Sequence, residues 1–259
     1  MDLGIAGRTA IVCGGSAGLG KGIATALAAE GVEVLIVARD TDRLNAAASE
    51  ISAATGQKID TMAVDLSDHT ARTTLFERCA TADILINNAG GPPVGDFRSL
   101  SREDWLKALD TNMLGAIDLI TASIDGMVKR EFGRILNVTS HMVKAPVALL
   151  SLSNGARAGL TAYVSGVARE VAKHNVTMNN LLPGQFDTDR LKSNHERFAK
   201  AQNVELAAAQ NNFRNAIPAK RFGNPAEFGA YAAFLCSAHS GFVTGQNLML
   251  DGGQYPGVF

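Results

Sequence analysis

Short stretches of apolar, largely β-branched residues recur along the chain. They fall at Thr9–Cys13, Val32–Ala38, Ile59–Val64, Ile84–Asn87, Arg134–Thr139, Thr177–Leu182 and Asn247–Leu250. Several are apolar nearly throughout, the signature of parallel strands covered on both faces, so each is predicted as a strand. Between them the apolar spacing turns helical, predicting helices at Gly18–Glu30, Arg43–Ala54, Ser101–Lys129 and Ser153–His174. Such alternation predicts an α/β fold: one domain over residues 1–259, doubly wound, with about seven parallel strands and helices on both faces. Right-handed crossovers then place a ligand crevice at the carboxyl ends of the strands.

One segment breaks this rhythm. From Asp189 to Gly223 the chain is rich in helix formers and holds no strand pattern. It follows Pro183-Gly184 at a strand end, and reads either as a helical lid over the crevice or as a solvated surface helix pair.

Composition narrows the function. With 46% hydrophobic and 19% charged residues, the 259-residue chain can bury a large core. Its net charge of -1, without a run of like charge, gives no electrostatic case for nucleic acid or an anionic membrane. Cys13, Cys79 and Cys236 form no CxxC pair and no cluster with histidines, so no metal site is expected and the thiols read as buried and reduced. The opening MDLGIAGRTAIVCGG lacks the pattern of a signal peptide, and no apolar run is long enough to span a bilayer. A cytoplasmic location is the expectation.

The first strand runs into CGGSAGLGKG, where Gly14, Gly18 and Gly20 bridge strand and helix. A side chain in such a turn would block a pyrophosphate, and the helix N-terminus behind it offers free N–H groups and a favourable dipole. The arrangement is that of a Rossmann-like dinucleotide site. An acid at the end of the second strand would accept hydrogen bonds from a ribose 2′-hydroxyl, but that place holds Ala38, followed by Arg39. A guanidinium suits a 2′-phosphate, so NADP(H) is favoured over NAD(H), with Asp40 as the complication and a solvated Arg39 as the bland alternative.

With these residues in view, the chain resembles the short-chain dehydrogenases/reductases, and especially their 3-oxoacyl-acyl-carrier-protein reductase-like branch. GGSAGLG matches the family's glycine motif and DILINNAG its NNAG motif. VDLSD supplies Asp65 at the adenine contact, and LLPGQFDT fits the PGxxxT element. The resemblance assigns cofactor contacts to Gly14, Ser16, Gly18, Leu19, Gly20, Arg39, Asp65 and Leu66. It adds Asn88, Ala89, Gly90, Arg157, Pro183, Gly184 and Thr188. It also implies a homotetramer or homodimer acting on a small molecule.

The family's catalytic tetrad is Asn, Ser, Tyr and Lys. Asn112 in DTNMLGA and Ser140 in RILNVTS fall at the first two positions. Matching YxxxKAGL to SNGARAGL places Ser153 where the family has tyrosine and Arg157 where it has lysine. Tyrosine protonates the alkoxide as hydride arrives, from a phenol that starts near pKa ~10 and is lowered by the neighbouring cation. A serine hydroxyl is a far weaker acid. It can donate a hydrogen bond, but loss of a general acid typically costs about 10²–10⁴-fold. Arg157 can still grip a ribose diol, yet it cannot shuttle a proton.

His141, beside Ser140, reads either as the substitute acid or as a loop histidine, and Lys144 as a solvated loop charge. His69, His174, His195 and His239 lie in helical or surface patterns and read as structural. Gly155 and Gly159 leave room for a partner helix, from another subunit or from the same chain. Two functions follow. One is an NADP(H)-dependent oxidoreductase acting on a carbonyl, alcohol or imine with a non-standard proton donor. The other is a catalytically impaired dinucleotide-binding protein serving as a sensor or oligomeric partner.

Overall fold

A computed structural model describes residues 1–258. The chain opens with β1 (Thr9–Cys13), α1 (Gly18–Ala29), β2 (Glu33–Ala38), α2 (Thr41–Thr55) and β3 (Ile59–Ala63). Two short helices, α3 (His69–Thr73) and α4 (Phe76–Thr81), lead back to β4 (Ile84–Asn87). Next, α5 (Arg102–Leu109) runs through a π-helical turn at Asp110–Leu114 into α6 (Gly115–Lys129). Then come β5 (Gly133–Val138), α7 (Ser151–Val171) and β6 (Val176–Pro183). The chain closes with α8 (Asp189–Gln202), α9 (Leu206–Ala216), α10 (Pro225–Cys236) and β7 (Asn247–Leu250).

The seven strands form one parallel sheet in the order β3-β2-β1-β4-β5-β6-β7. The order reverses between β1 and β4, and a crevice opens at such a switch point. Successive residues of a strand face opposite sides. Val12 accordingly joins the core under α1 and α10, with Ile23, Leu27, Phe228 and Ala232. Its neighbour Ile11 joins the core under α6 and α7, with Leu119, Met127, Leu160 and Val164. Burial on both faces is why these strands read as unbroken apolar runs.

The strands begin and end within a residue of their expected bounds. The larger difference lies at Ser101–Lys129, expected as one helix: the π-turn divides it, and Asn112 sits inside that turn. Helices α3, α4 and α10 were not anticipated. Asn224 and Glu227 nevertheless form a capping box at the start of α10, a signal present in the residues NPAE. The 189–223 segment is two helices, α8 and α9, tied at its base by a parallel bridge between Phe186 and Gly223. His195 has the structural place expected of it, within α8. It is buried, stacked on Phe213 at 4.5 Å and tilted against Phe222 at 5.4 Å. Among the described residues, no helix is long and apolar enough to cross a membrane.

Candidate active site

The glycine turn is closed by contact. Gly14 has φ of 61°, and a Cβ there would lie 2.6 Å from Asn88 Nδ2 and 2.7 Å from Asn88 O. A Cβ at Gly20 would overlap the Gly14 carbonyl. Asn88 Nδ2 also donates to Gly14 O at 3.4 Å, joining the turn to the end of β4. Gly18, with φ of 54°, faces Thr188 across the crevice, 3.3 Å from its Cγ2 to a built Cβ. Thr188 in turn caps α8 by accepting from Leu191 N at 3.2 Å. Ser16 is half-buried in the turn, whereas Leu19 packs its side chain against the core and leaves only backbone to a ligand. This cradle suits a dinucleotide pyrophosphate, because its glycines leave backbone N–H groups open to a ligand.

At the end of β2, Asp40 is engaged by a helix cap. Asp40 Oδ1 accepts from Arg43 N at 3.0 Å as the N-cap of α2, which turns its carboxylate into that helix. Arg39 is exposed beside it and makes no such tie. Asp65 accepts from Ser67 N at 2.9 Å and Ser67 Oγ at 2.8 Å, bonds that hold its carboxyl below the usual range. The Leu66 carbonyl accepts from the buried Arg72 at 2.7 Å, and Arg72 also pairs with Asp110 at the start of the π-turn.

Three segments meet at Arg157. Its guanidinium is only 8% exposed. It donates to Ser153 Oγ at 3.2 Å, to Val138 O at 2.7 Å and to Ala89 O at 3.3 Å. One side chain on α7 therefore joins Ser153, the end of β5 and the NNAG segment. Burial, reinforced by the nearby charge of Arg190, pulls its pKa down to about 10, so it remains a cation at neutral pH. The same small cavity is lined by Arg157, Ala89, Cys13, Asn87 and Asn112. Asn112 is buried there with neither Nδ2 nor Oδ1 hydrogen-bonded to a described residue.

The remaining expected residues take definite places. β5 ends at Val138, and Ser140 Oγ accepts from Met142 N at 3.1 Å to start a 3₁₀ turn, which leaves its own proton free to donate. His141 is buried, with Nδ1 3.0 Å from Pro183 O, so its ring ties this turn to the end of β6. Gly184 packs against Asp251, where a Cβ would lie 2.8 Å from Cα, and its N–H donates to Leu250 O at 2.8 Å. Lys144 lies 6.0 Å from the Tyr255 ring centroid. Gly155 and Gly159 receive Trp105 and Met113 of the same chain, each 2.8 Å from a built Cβ, so their space serves packing within the subunit.

One residue of the site went unread in the sequence. Arg190, at the start of α8, reaches Gly91, where a Cβ would collide with its Nη2. Its only signal is position, two residues past Thr188 in a segment otherwise read as lid.

Comparison with known proteins agrees with this geometry. Residues 8–198 match the short chain dehydrogenase family. The NADPH-dependent reductase BacG of Bacillus subtilis is 32% identical over 256 residues, covering 97% of this chain and 99% of that protein. The 3-oxoacyl-[acyl-carrier-protein] reductase FabG of Chlamydia muridarum is 30% identical over 250 residues, with 95% and 96% covered. The crystal structure of L-sorbose reductase from Gluconobacter frateurii, complexed with NADPH and L-sorbose, superposes with a TM-score of 0.94 at 28% identity over all of both chains. The chain therefore belongs to the short-chain dehydrogenase/reductase family, in its 3-oxoacyl-acyl-carrier-protein reductase-like branch.

Proposed function

We propose that this protein is an NADP(H)-dependent reductase of carbonyl or imine-type small molecules, with Ser153 and Arg157 standing where its family carries tyrosine and lysine. The observation that carries this reading is the Arg157 guanidinium, which binds Ser153, β5 and the NNAG segment at once. By accepting from Arg157, Ser153 Oγ keeps its own proton for a substrate oxygen. Ser140 is free to donate in the same way. Two hydroxyls beside a buried cation stabilise a developing oxyanion without titrating themselves.

When bound, the dinucleotide supplies the hydride. Gly14, Ser16, Gly18 and Gly20 hold its pyrophosphate by backbone, Arg39 its 2′-phosphate, and Asp65 and Leu66 its adenine. Asn88, Ala89, Gly90, Pro183, Gly184 and Thr188 line the reacting end, and Arg157 takes the ribose diol. BacG and L-sorbose reductase, named for NADPH dependence and an NADPH complex, support the choice of cofactor. The unpartnered amide of Asn112 would hold an ordered water, and His141, tied to Pro183 O, would anchor the turn after Ser140 rather than act as the acid. Helices α8 and α9 form the lid. Exposed Leu106 and Leu114, with Phe234 and Phe242, supply the faces of a homo-oligomer.

The test is a titration with NADPH and NADH, followed by a panel of ketones, β-ketoacyl thioesters and imines. The expected result is tighter binding of NADPH and turnover of at least one class. Binding without any turnover would favour the second reading, a dinucleotide sensor, and no binding would remove both.

A further inference from the structure

Asn112 stands in the π-turn between α5 and α6, and that turn is gripped from a distant segment. Arg72, on α3, is 1% exposed. Its Nη1 donates to Leu66 O at 2.7 Å and to Asp110 Oδ2 at 3.3 Å. Nη2 donates to Asp110 Oδ1 at 2.9 Å, and Nε to Asp118 Oδ2 at 3.1 Å, in the first turn of α6. The outer face of Asp118 is taken by His69, whose Nδ1 lies 3.1 Å from the same oxygen. One buried cation therefore joins the loop after β3 to the acids on either side of the π-turn.

Backbone contact follows the same line. Gly115 closes the turn, and a Cβ there would lie 3.1 Å from Asp110 O, 3.3 Å from Leu66 O and 3.4 Å from Arg72 Cδ. Residues 66, 72, 110 and 115 are thus packed against one point. Behind them a cavity of about 30 Å³ is lined by Leu66, Gly115, Asn112 and Arg157. It has room for about one or two waters. Asn112, 4% exposed, borders it with neither polar atom hydrogen-bonded to a described residue. The loop that carries Asp65 and Leu66 and the amide of Asn112 are two walls of one small space.

We propose, resting on the dinucleotide reading of Asp65 and Leu66, that Arg72 is a positioning residue tying the adenine end of that site to Asn112. Filling the adenine end fixes residues 65–67. Through Leu66 O, Arg72 and Asp110, that loop then holds the π-turn in the arrangement that brings the Asn112 amide to the cavity. Coupling needs an element with two arrangements that both sites bias. Here it is the π-turn, whose extra residue shifts the helix phase by about 100° from that of an ordinary helix. A buried ion pair adds little net stability, so what Arg72 contributes is a fixed geometry.

The experiment follows backbone hydrogen–deuterium exchange over residues 65–68 and 110–115, with and without saturating adenosine 2′,5′-bisphosphate. This probe carries the adenine end and has no nicotinamide. In the wild type it is expected to slow exchange at 110–115 by about fivefold or more. Arg72→Met and Asp110→Ala should bind it within about threefold of the wild type by calorimetry, yet lose the slowing. A residue serving stability alone would speed exchange with and without the probe and leave that ratio unchanged. If Arg72→Met does not fold, Asp110→Ala still decides, since that side chain is 31% exposed and alanine suits a helix. Slowing retained in a folded variant would overturn the link, as would wild-type exchange at 110–115 that ignores the bound probe. If the probe does not bind the wild type, the dinucleotide reading falls and the link is read without ligand. Asp110→Ala should then speed exchange at 65–68 as well as at 110–115, and unchanged exchange at 65–68 would overturn it.

Discussion

Arg157 donates from Nε to Ser153 Oγ at 3.2 Å, one helical turn apart on α7, while its other nitrogens hold the carbonyls of Val138 and Ala89. The serine thereby accepts from the guanidinium and keeps its own proton to donate. A buried cation supports it.

Restoring the family's pair should restore the acid. The double variant Ser153→Tyr with Arg157→Lys is expected to raise kcat/KM for a simple ketone by about 10²–10⁴. Steady-state kinetics with acetophenone measure it. An unchanged rate would mean that the pocket, not the acid, limits ketone reduction.

Cofactor choice should depend on Arg39 and not on Asp40. Arg39→Ala is expected to weaken NADPH about tenfold and leave NADH unchanged, because only the 2′-phosphate loses its partner. Asp40→Ala removes the cap of α2 and should cost about 1 kcal/mol in urea unfolding without altering the NADPH-to-NADH ratio. A changed ratio in that variant would show that the carboxylate reaches the ribose after all.

His141→Ala should act through the fold. It strands the half-buried Pro183 carbonyl, at a cost of about 1 kcal/mol. The pH profile of kcat should keep its shape. A limb that vanishes from that profile would identify the imidazole as the missing acid.

Packing of α1 on α10 has no room to spare. A Cβ at Gly229 would overlap the Gly22 carbonyl. Gly229→Ala should therefore destabilise by about 1–3 kcal/mol, read from the urea midpoint, unless the helices separate.

Acid should loosen the start of α10. Glu227 accepts from both Arg221 nitrogens and from Asn224 N, and Arg221 first among these holds its pKa down at about 2. Its folded value lies below the ordinary carboxylate value. The stabilisation is therefore complete above about pH 4.5 and is lost as pH falls toward 2. Thermal midpoints across that window should fall less steeply for Glu227→Gln than for the wild type.

The strands, most helices, the glycine turn and the one-turn spacing of Ser153 and Arg157 were all legible in the sequence. Each depends on neighbours a few residues away: alternation over a strand, spacing within a turn, one turn of helix. The π-turn was not legible, because Asp110–Leu114 reads as ordinary helix until Arg72, from a distant segment, grips Asp110 and Leu66 O together. Nor was the role of Asp40, whose carboxylate is drawn into the start of α2 as its cap. The placement of Arg190 beside Gly91 needed the whole sheet, since the two residues are far apart along the chain and meet only where β4 and β6 end on the same edge. Local pattern determines which elements form and what chemistry each carries. Long-range packing decides which charges face each other, because that depends on the direction a crossover sends the chain and on nothing within the segment itself.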